Sequence, residues 1–263
     1  MKSLPYNHPV TQKILKDKPK QPIYYKGSCS ALSDKFIQIG VIGSRDISTY
    51  TFDILPGIFR FLSLFKCNIV SGGALGVDAF AHTLALQFQI PTCSFLASPV
   101  TDPSPKQNQH IFEDIQSKGC LLSTTQPYSK LKKYQFLERN KLLVNLCDIL
   151  IVPQSQAGSG TMSTAEYALS ENKYVFVPPD RAHDQSYDGN LILLKKGAQI
   201  LSRAEDLLKY SPILEQHNKL LAPHLNQHKK YIRGHTKMQS VEILEAIYKK
   251  IDKGQLNHLA SEL

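Results

Sequence analysis

The sequence predicts an α/β protein: a mostly parallel sheet with helices on both faces. Three observations carry the prediction. Short apolar runs recur along the chain with helix-compatible segments between them. Four cysteines, Cys67, Cys93, Cys120 and Cys147, lie 26, 27 and 27 residues apart, each at or near the start of such a run. That interval suits one strand plus one helix, with a small, readily buried residue at the head of each strand. Several runs end in Gly/Ser-rich corners, as expected where a buried strand turns into a helix.

Taken in order, residues 1–35 contain Pro5, Pro9, Pro19 and Pro22 and read as an irregular arm that ends in a strand near "IYYKG". The core runs follow at 36–43, 67–72, 93–97, 120–123, 148–153, 174–178 and 198–201. Their near-continuous apolar character is that of strands covered on both faces, which parallel sheets require. Past residue 210, Pro212 and Pro223 break the pattern, and "VEILEAIYKKI" (241–251) puts Val241, Leu244, Ile247, Tyr248 and Ile251 on one helical face. The expected organisation is therefore an arm (1–35), a sheet domain (36–210) and a small, basic helical tail (211–263).

With 263 residues, 42% of them hydrophobic and 20% charged, the chain has the composition of a soluble globular protein. No apolar run approaches the roughly 18 residues of a membrane span, and the first residues lack the apolar stretch of a signal peptide, so a cytoplasmic protein with no membrane partner is expected. Five cysteines with no CxxC pair argue against a disulfide framework or a zinc ribbon. The net charge of +9 favours a polyanionic partner. Residues 129–141, "SKLKKYQFLERNK", carry five Lys or Arg against one Glu and interleave Tyr134 and Phe136; residues 225–237 carry four cations and no acid. Cations mixed with aromatic rings suit a nucleic-acid strand, and a solvated helix face is the plainer alternative for each tract alone.

Ligands of such sheets bind beyond the carboxyl ends of the strands. After the first core run comes Gly43-Ser44-Arg45-Asp46, after the second Ser71-Gly72-Gly73-Ala-Leu-Gly76, and after the fifth Gly158-Ser159-Gly160-Thr161. Unpaired N–H groups at a helix start favour an anion, and Arg45 is suited to bidentate contact with phosphate. Taken together the three corners point to an anion site. Catalytic and metal signatures are missing: no HExxH, no GxxxxGK[ST], no GxSxG and no acidic cluster with ligand spacing. The glycine corner is a poor dinucleotide match, with Ser71 at the first glycine position and no acid at the end of the third run. His224 and His228 share helical spacing without a third ligand, and Asp78 and His82 read as residues that orient a helix. No cofactor and no metal are expected.

Four segments, "VIGSRDISTY" (41–50), "VSGGALGVDAFAH" (70–82), "FLERNKLLVNLCDILIVPQSQAGSGTMSTAEYAL" (136–169) and "DGNLILLKKGAQIL" (188–201), resemble in that order the DprA/Smf DNA-processing proteins of bacterial natural transformation. The resemblance implies an extended Rossmann-like domain without known catalysis. It would bind single-stranded DNA, form a homodimer and help load the RecA recombinase. It implies a DNA-facing pocket formed by Gly43, Ser44 and Arg45, by Ser71, Gly72 and Gly73, by Phe136, Arg139, Asn140 and Lys141, and by Ser159, Gly160 and Thr161, with Lys173 before the sixth core run. Departures are Leu75 and Lys141, where many members carry Arg, and "VPPD" (177–180) in place of Val-Pro-Gly. The family's N-terminal helical module and a winged-helix tail find no counterpart in the sequence pattern. A related enzyme group, the lysine-decarboxylase-like nucleoside-monophosphate phosphoribohydrolases, carries Pro-Gly-Gly-x-Gly-Thr-x-x-Glu. Aligned on Gly160-Thr161, this chain has Thr164 at the glutamate position, and Glu166 lies about 200° further round a helix. That enzyme, and a module that binds a small nucleotide, are the alternative readings.

Overall fold

A computed structural model describes residues 2–16, 21–179, 184–211 and 213–214. The chain opens with β1 (Lys2–Leu4), α1 (Pro9–Leu15) and β2 (Ile23–Gly27). The segment read from its prolines as irregular is thus mostly regular. Pro9 stands in the first turn of α1, where its missing N–H costs nothing, and the His8 ring caps the helix by accepting from the Val10 amide. Val10, Ile14 and Leu15 of α1 are buried, and the Ile14 carbonyl accepts from Asn145.

Every expected core run forms a strand: β3 (Ile37–Val41), β4 (Cys67–Ser71), β5 (Thr92–Phe95), β6 (Cys120–Ser123), β7 (Ile149–Ile151), β8 (Tyr174–Val177) and β9 (Gln199–Ile200). Between them lie α2 (Thr49–Leu62), α3 (Val77–Gln87), α4 (Gln109–Lys118), α5 (Tyr134–Leu146), α6 (Gly160–Ser170) and α7 (Asp188–Lys195), with α8 (Asp206–Tyr210) after β9. One sheet has the order β1-β2-β6-β5-β4-β3-β7-β8-β9. The seven strands β3 to β9 pair in parallel, while β2 runs antiparallel to β6 and β1 antiparallel to β2.

Right-handed crossovers put the helices of leftward steps on one face and those of rightward steps on the other. Accordingly α3 packs against α2 and α4, and α6 against α5 and α7. The four evenly spaced cysteines are all buried: Cys67 and Cys120 open β4 and β6, Cys93 is the second residue of β5, and Cys147 caps the end of α5, two residues before β7. Burial pushes the Cys67 and Cys147 thiols up to about 12, which leaves them inert as nucleophiles. Small residues let α3 approach the sheet closely: Ala81 and Ala85 are fully buried beside Val77 and Leu84.

The chain divides into two compact units, Met1–Tyr210 and Ser211–Leu263, and the sheet lies in the first. The basic tract 225–237, the histidines His224 and His228 and the helix expected at 241–251 fall outside the described residues. Among the described residues no helix is long and apolar enough to cross a membrane.

Candidate nucleic-acid interface

The sheet order reverses beside β3, whose neighbours are β4 on one side and β7 on the other. Ligands bind at such a switch point because the helices after the two strands leave on opposite faces and open a crevice. All three glycine-rich corners meet there. The Ser44 amide donates to the Gln154 carbonyl at 3.0 Å, the Val77 amide to the Ser44 carbonyl at 3.0 Å, and the Thr161 hydroxyl to the Gly43 carbonyl at 2.9 Å. Gly76 has φ 79°, and a Cβ on it would come within 2.3 Å of the Ser44 carbonyl oxygen. Only glycine allows the β4–α3 loop to lie on the β3 corner this closely.

Beneath these loops lies a buried pair of opposite charges. One Asp78 oxygen accepts from the Gly72 amide at 3.1 Å and the Ala74 amide at 3.3 Å. Burial pushes the Asp78 carboxyl up, and the Arg139 guanidinium and these backbone donors act against that push. Arg139, on α5, reaches across the top of the sheet: a Cβ on Gly72 would fall 1.4 Å from its Nη1. Gly72 is the gap through which the arginine enters. Arg139 is 7% exposed and its Nε has no hydrogen-bond partner. Burial lowers its pKa, Asp78 opposes the shift, and the positive charge of Arg45 adds to it, so Arg45 and Arg139 stand within electrostatic reach of each other. An exposed cation at the mouth, with a second one buried below it, favours an anion above them.

The third corner is held from below. Asn190, fully buried on α7, donates to the carbonyls of Val152, Pro153 and Pro178 and accepts from the Ser155 hydroxyl. Gln154 braces the first corner, donating to the Asp46 carbonyl and accepting from the Ser48 amide. Tyr187 is buried with its hydroxyl on Thr51 at 2.7 Å and on Ser48, the residue that caps α2. Asn108 donates to the carbonyls of Gly73 and Ala74.

The expected site residues fall into distinct groups. Arg45 is exposed at the mouth, with Gly43, Ser44, Ser159, Gly160 and Thr161 partly or fully accessible around it. Phe136 is half-buried in the first turn of α5, and Asn140 donates to Thr164 across the α5–α6 contact at 2.8 Å. Lys141 is exposed, 5.7 Å from the Tyr167 ring centre. Ser71, Gly72 and Gly73 are buried, and the Ser71 hydroxyl donates to the Val41 carbonyl at 2.6 Å. The expectation that the Ser71 hydroxyl and the Gly72 amide are offered to an anion is corrected accordingly: both already have internal acceptors. Arg139 likewise faces Asp78 inside the protein.

Lys173 requires a second correction. It precedes β8 at the opposite end of the sheet, where its ammonium donates to the Cys147 carbonyl at 2.7 Å. Lys13 and Asp148 pair nearby at 2.7 Å, and Lys16 pairs with Glu171. That cluster fastens α1 to the sheet and has no part in the crevice.

The braces Gln154, Asn190 and Asn108 are absent from the sequence reading. Gln154 and Asn190 carried a signal, because each lies in a segment singled out for its resemblance, 136–169 and 188–201; Asn108 lies in none of them. Before and at the start of α5, Tyr128, Tyr134 and Leu137 are exposed beside Lys130, Lys132 and Lys133. The crevice thus combines an exposed guanidinium with a helix start, and the segment entering α5 adds accessible rings and cations, a set that suits a chain of phosphates carrying flat bases.

A family model for DNA recombination-mediator protein A matches residues 4–212. The chain is 31% identical over 186 residues to DNA processing protein DprA of Streptococcus pneumoniae, covering 71% of this chain and 65% of that one. It is 28% identical over 194 residues to DNA processing protein DprA of Bacillus subtilis, covering 74% of this chain and 65% of that one. The match thus spans 65% of the length of each of these relatives. Among solved structures, DNA processing protein A from Helicobacter pylori, described for its single-stranded DNA binding mode, superposes with a TM-score of 0.72 at 32% identity, covering 82% of this chain and 96% of that one.

Proposed function

Because this chain belongs to the DNA recombination-mediator protein A family, we propose that it binds single-stranded DNA at the crevice between β3 and β7, as a protein of natural transformation. The observation that carries the reading is Arg45, an exposed cation at the switch point that lies within electrostatic reach of a second, buried one. A phosphate at the mouth relieves the repulsion between Arg45 and Arg139, whose own Nε lacks a partner. Ser44, Gly160 and Thr161 line the same mouth, and the half-buried Phe136 offers a ring edge or face to a base. Single-strand protection, homodimerisation, delivery of the strand to RecA and a cytoplasmic location extend the proposal and rest on the family resemblance.

The phosphoribohydrolase reading has little support from the site. Thr164, at the position of the catalytic glutamate, is buried and donates to the Gly160 carbonyl at 2.7 Å, while Glu166 pairs with Lys196 on the far side of α6. A buried hydroxyl tied to its own helix does not act as a general base.

The test is equilibrium binding of a fluorescent oligo-dT strand and of the matching duplex at one fixed salt concentration. The single strand should bind more tightly. Equal or tighter duplex binding overturns the proposal, and a nucleoside-monophosphate hydrolysis assay run alongside identifies the enzyme if that reading is right.

A further inference from the structure

The lip on the α2–α3 side of the crevice differs in character from Arg45 itself. Phe52 lies one turn into α2 from the Ser48 cap and is 54% exposed. It stacks on Phe80 of α3, ring centres 4.5 Å apart and planes 8° from parallel. Leu75, 38% exposed, sits just before Gly76, whose backbone lies against the Ser44 and Arg45 carbonyls. Arg45, Leu75 and Phe52 therefore share one lip. The exposed carboxylates at this point, Asp46 and Asp53, lie to either side of Phe52 in sequence. They make the lip unfavourable for further phosphates, while the outer face of Phe52 continues an existing two-ring stack.

Resting on the single-strand reading above, we propose that this lip is a base-stacking subsite: the bases next to the phosphate held at Arg45 turn onto Phe52 and against Leu75, away from Asp46 and Asp53. A flat base satisfies an exposed aromatic face, which neither phosphate nor sugar does. The subsite is sequence-tolerant, since every base has such a face. It also gives Leu75 a role in a position where a cation would otherwise gather backbone.

The test uses the full chain and two probes, an oligo-dT strand and an abasic phosphodiester strand of equal length. Phe52→Leu keeps an apolar side chain on Phe80 and removes the stacking face. It should weaken oligo-dT binding by roughly tenfold and leave abasic binding unchanged. The chain contains no Trp, so Phe52→Trp supplies a single reporter whose fluorescence should be quenched by oligo-dT over the same concentrations that give binding, and not by the abasic strand. Parent-like oligo-dT binding by Phe52→Leu together with an unquenched Phe52→Trp overturns the subsite while leaving the single-strand reading intact. If the parent itself binds neither probe, both fall. A changed sedimentation coefficient of DNA-free Phe52→Leu assigns the lip to contact between copies of the chain, and overturns the proposal as well.

Discussion

Arg139 and Asp78 occupy one buried space, and neither charge has an alternative partner in water. Removing one member of such a pair leaves the other uncompensated, at a cost of about 3–5 kcal/mol, whereas removing both is far milder. Arg139→Gln should therefore lower the urea midpoint severely, and adding Asp78→Asn should restore a large part of the loss. Additive losses in the double variant would show that the two residues are not coupled. The sequence could not reveal this arrangement. An arginine in a basic helix looks the same whether it faces a phosphate or a carboxylate, and what turns Arg139 inward is the missing side chain of Gly72, 67 residues earlier. Asp78 was legible in part, because its spacing from His82 already suggested a role in orienting α3. His82 is buried with its ring on the Thr92 hydroxyl at 2.7 Å, and burial together with Arg139 lowers its pKa to about 3. It stays neutral and structural.

Helix α6 shows how one side chain serves the fold and the site at once. Ser159 caps it by accepting from the Met162 amide at 3.1 Å, so its hydroxyl is occupied by the helix while its position remains at the mouth. Ser159→Ala should cost about 1 kcal/mol of stability. Ser159→Asp keeps a capping oxygen and adds a negative charge that the helix start favours, so it should retain stability, yet it should weaken single-strand binding by repelling phosphate. Denaturation and binding titrations of both variants check the crossed ranking; if Ser159→Asp binds like the parent, α6 does not face the strand. The glycine and serine pattern made this corner legible. Lys173 was misread because a lysine before a strand carries no sign of which end of the sheet it occupies, and that follows from the parallel direction of β8. Helix α1 was missed for a different reason: seven residues are too few for periodicity to outweigh the neighbouring prolines.

At the scale of the molecule, the seven parallel strands were legible as apolar runs: β3 to β8 are buried in the core, β9 lies at the sheet edge with Ile200 exposed, and cysteines marked the spacing of β4 to β7. Strand order was not. The placement of β7 beside β3 brings residues about 110 positions apart to within one hydrogen bond, such as Ser44 to Gln154, and only this long-range pairing creates the crevice. The central claim is that Arg45 contacts phosphate in that crevice, whereas Phe136 contributes a neutral ring. The most direct measurement is the affinity of Arg45→Ala and Phe136→Ala for a single-stranded oligonucleotide across a range of salt, with circular dichroism to verify folding. Arg45→Ala should bind more weakly and lose roughly 0.7 from the log–log slope, the value of one single-strand phosphate contact. Phe136→Ala should lose about 1–3 kcal/mol of binding with its slope unchanged. Parent-like binding by Arg45→Ala at every salt concentration would contradict the account.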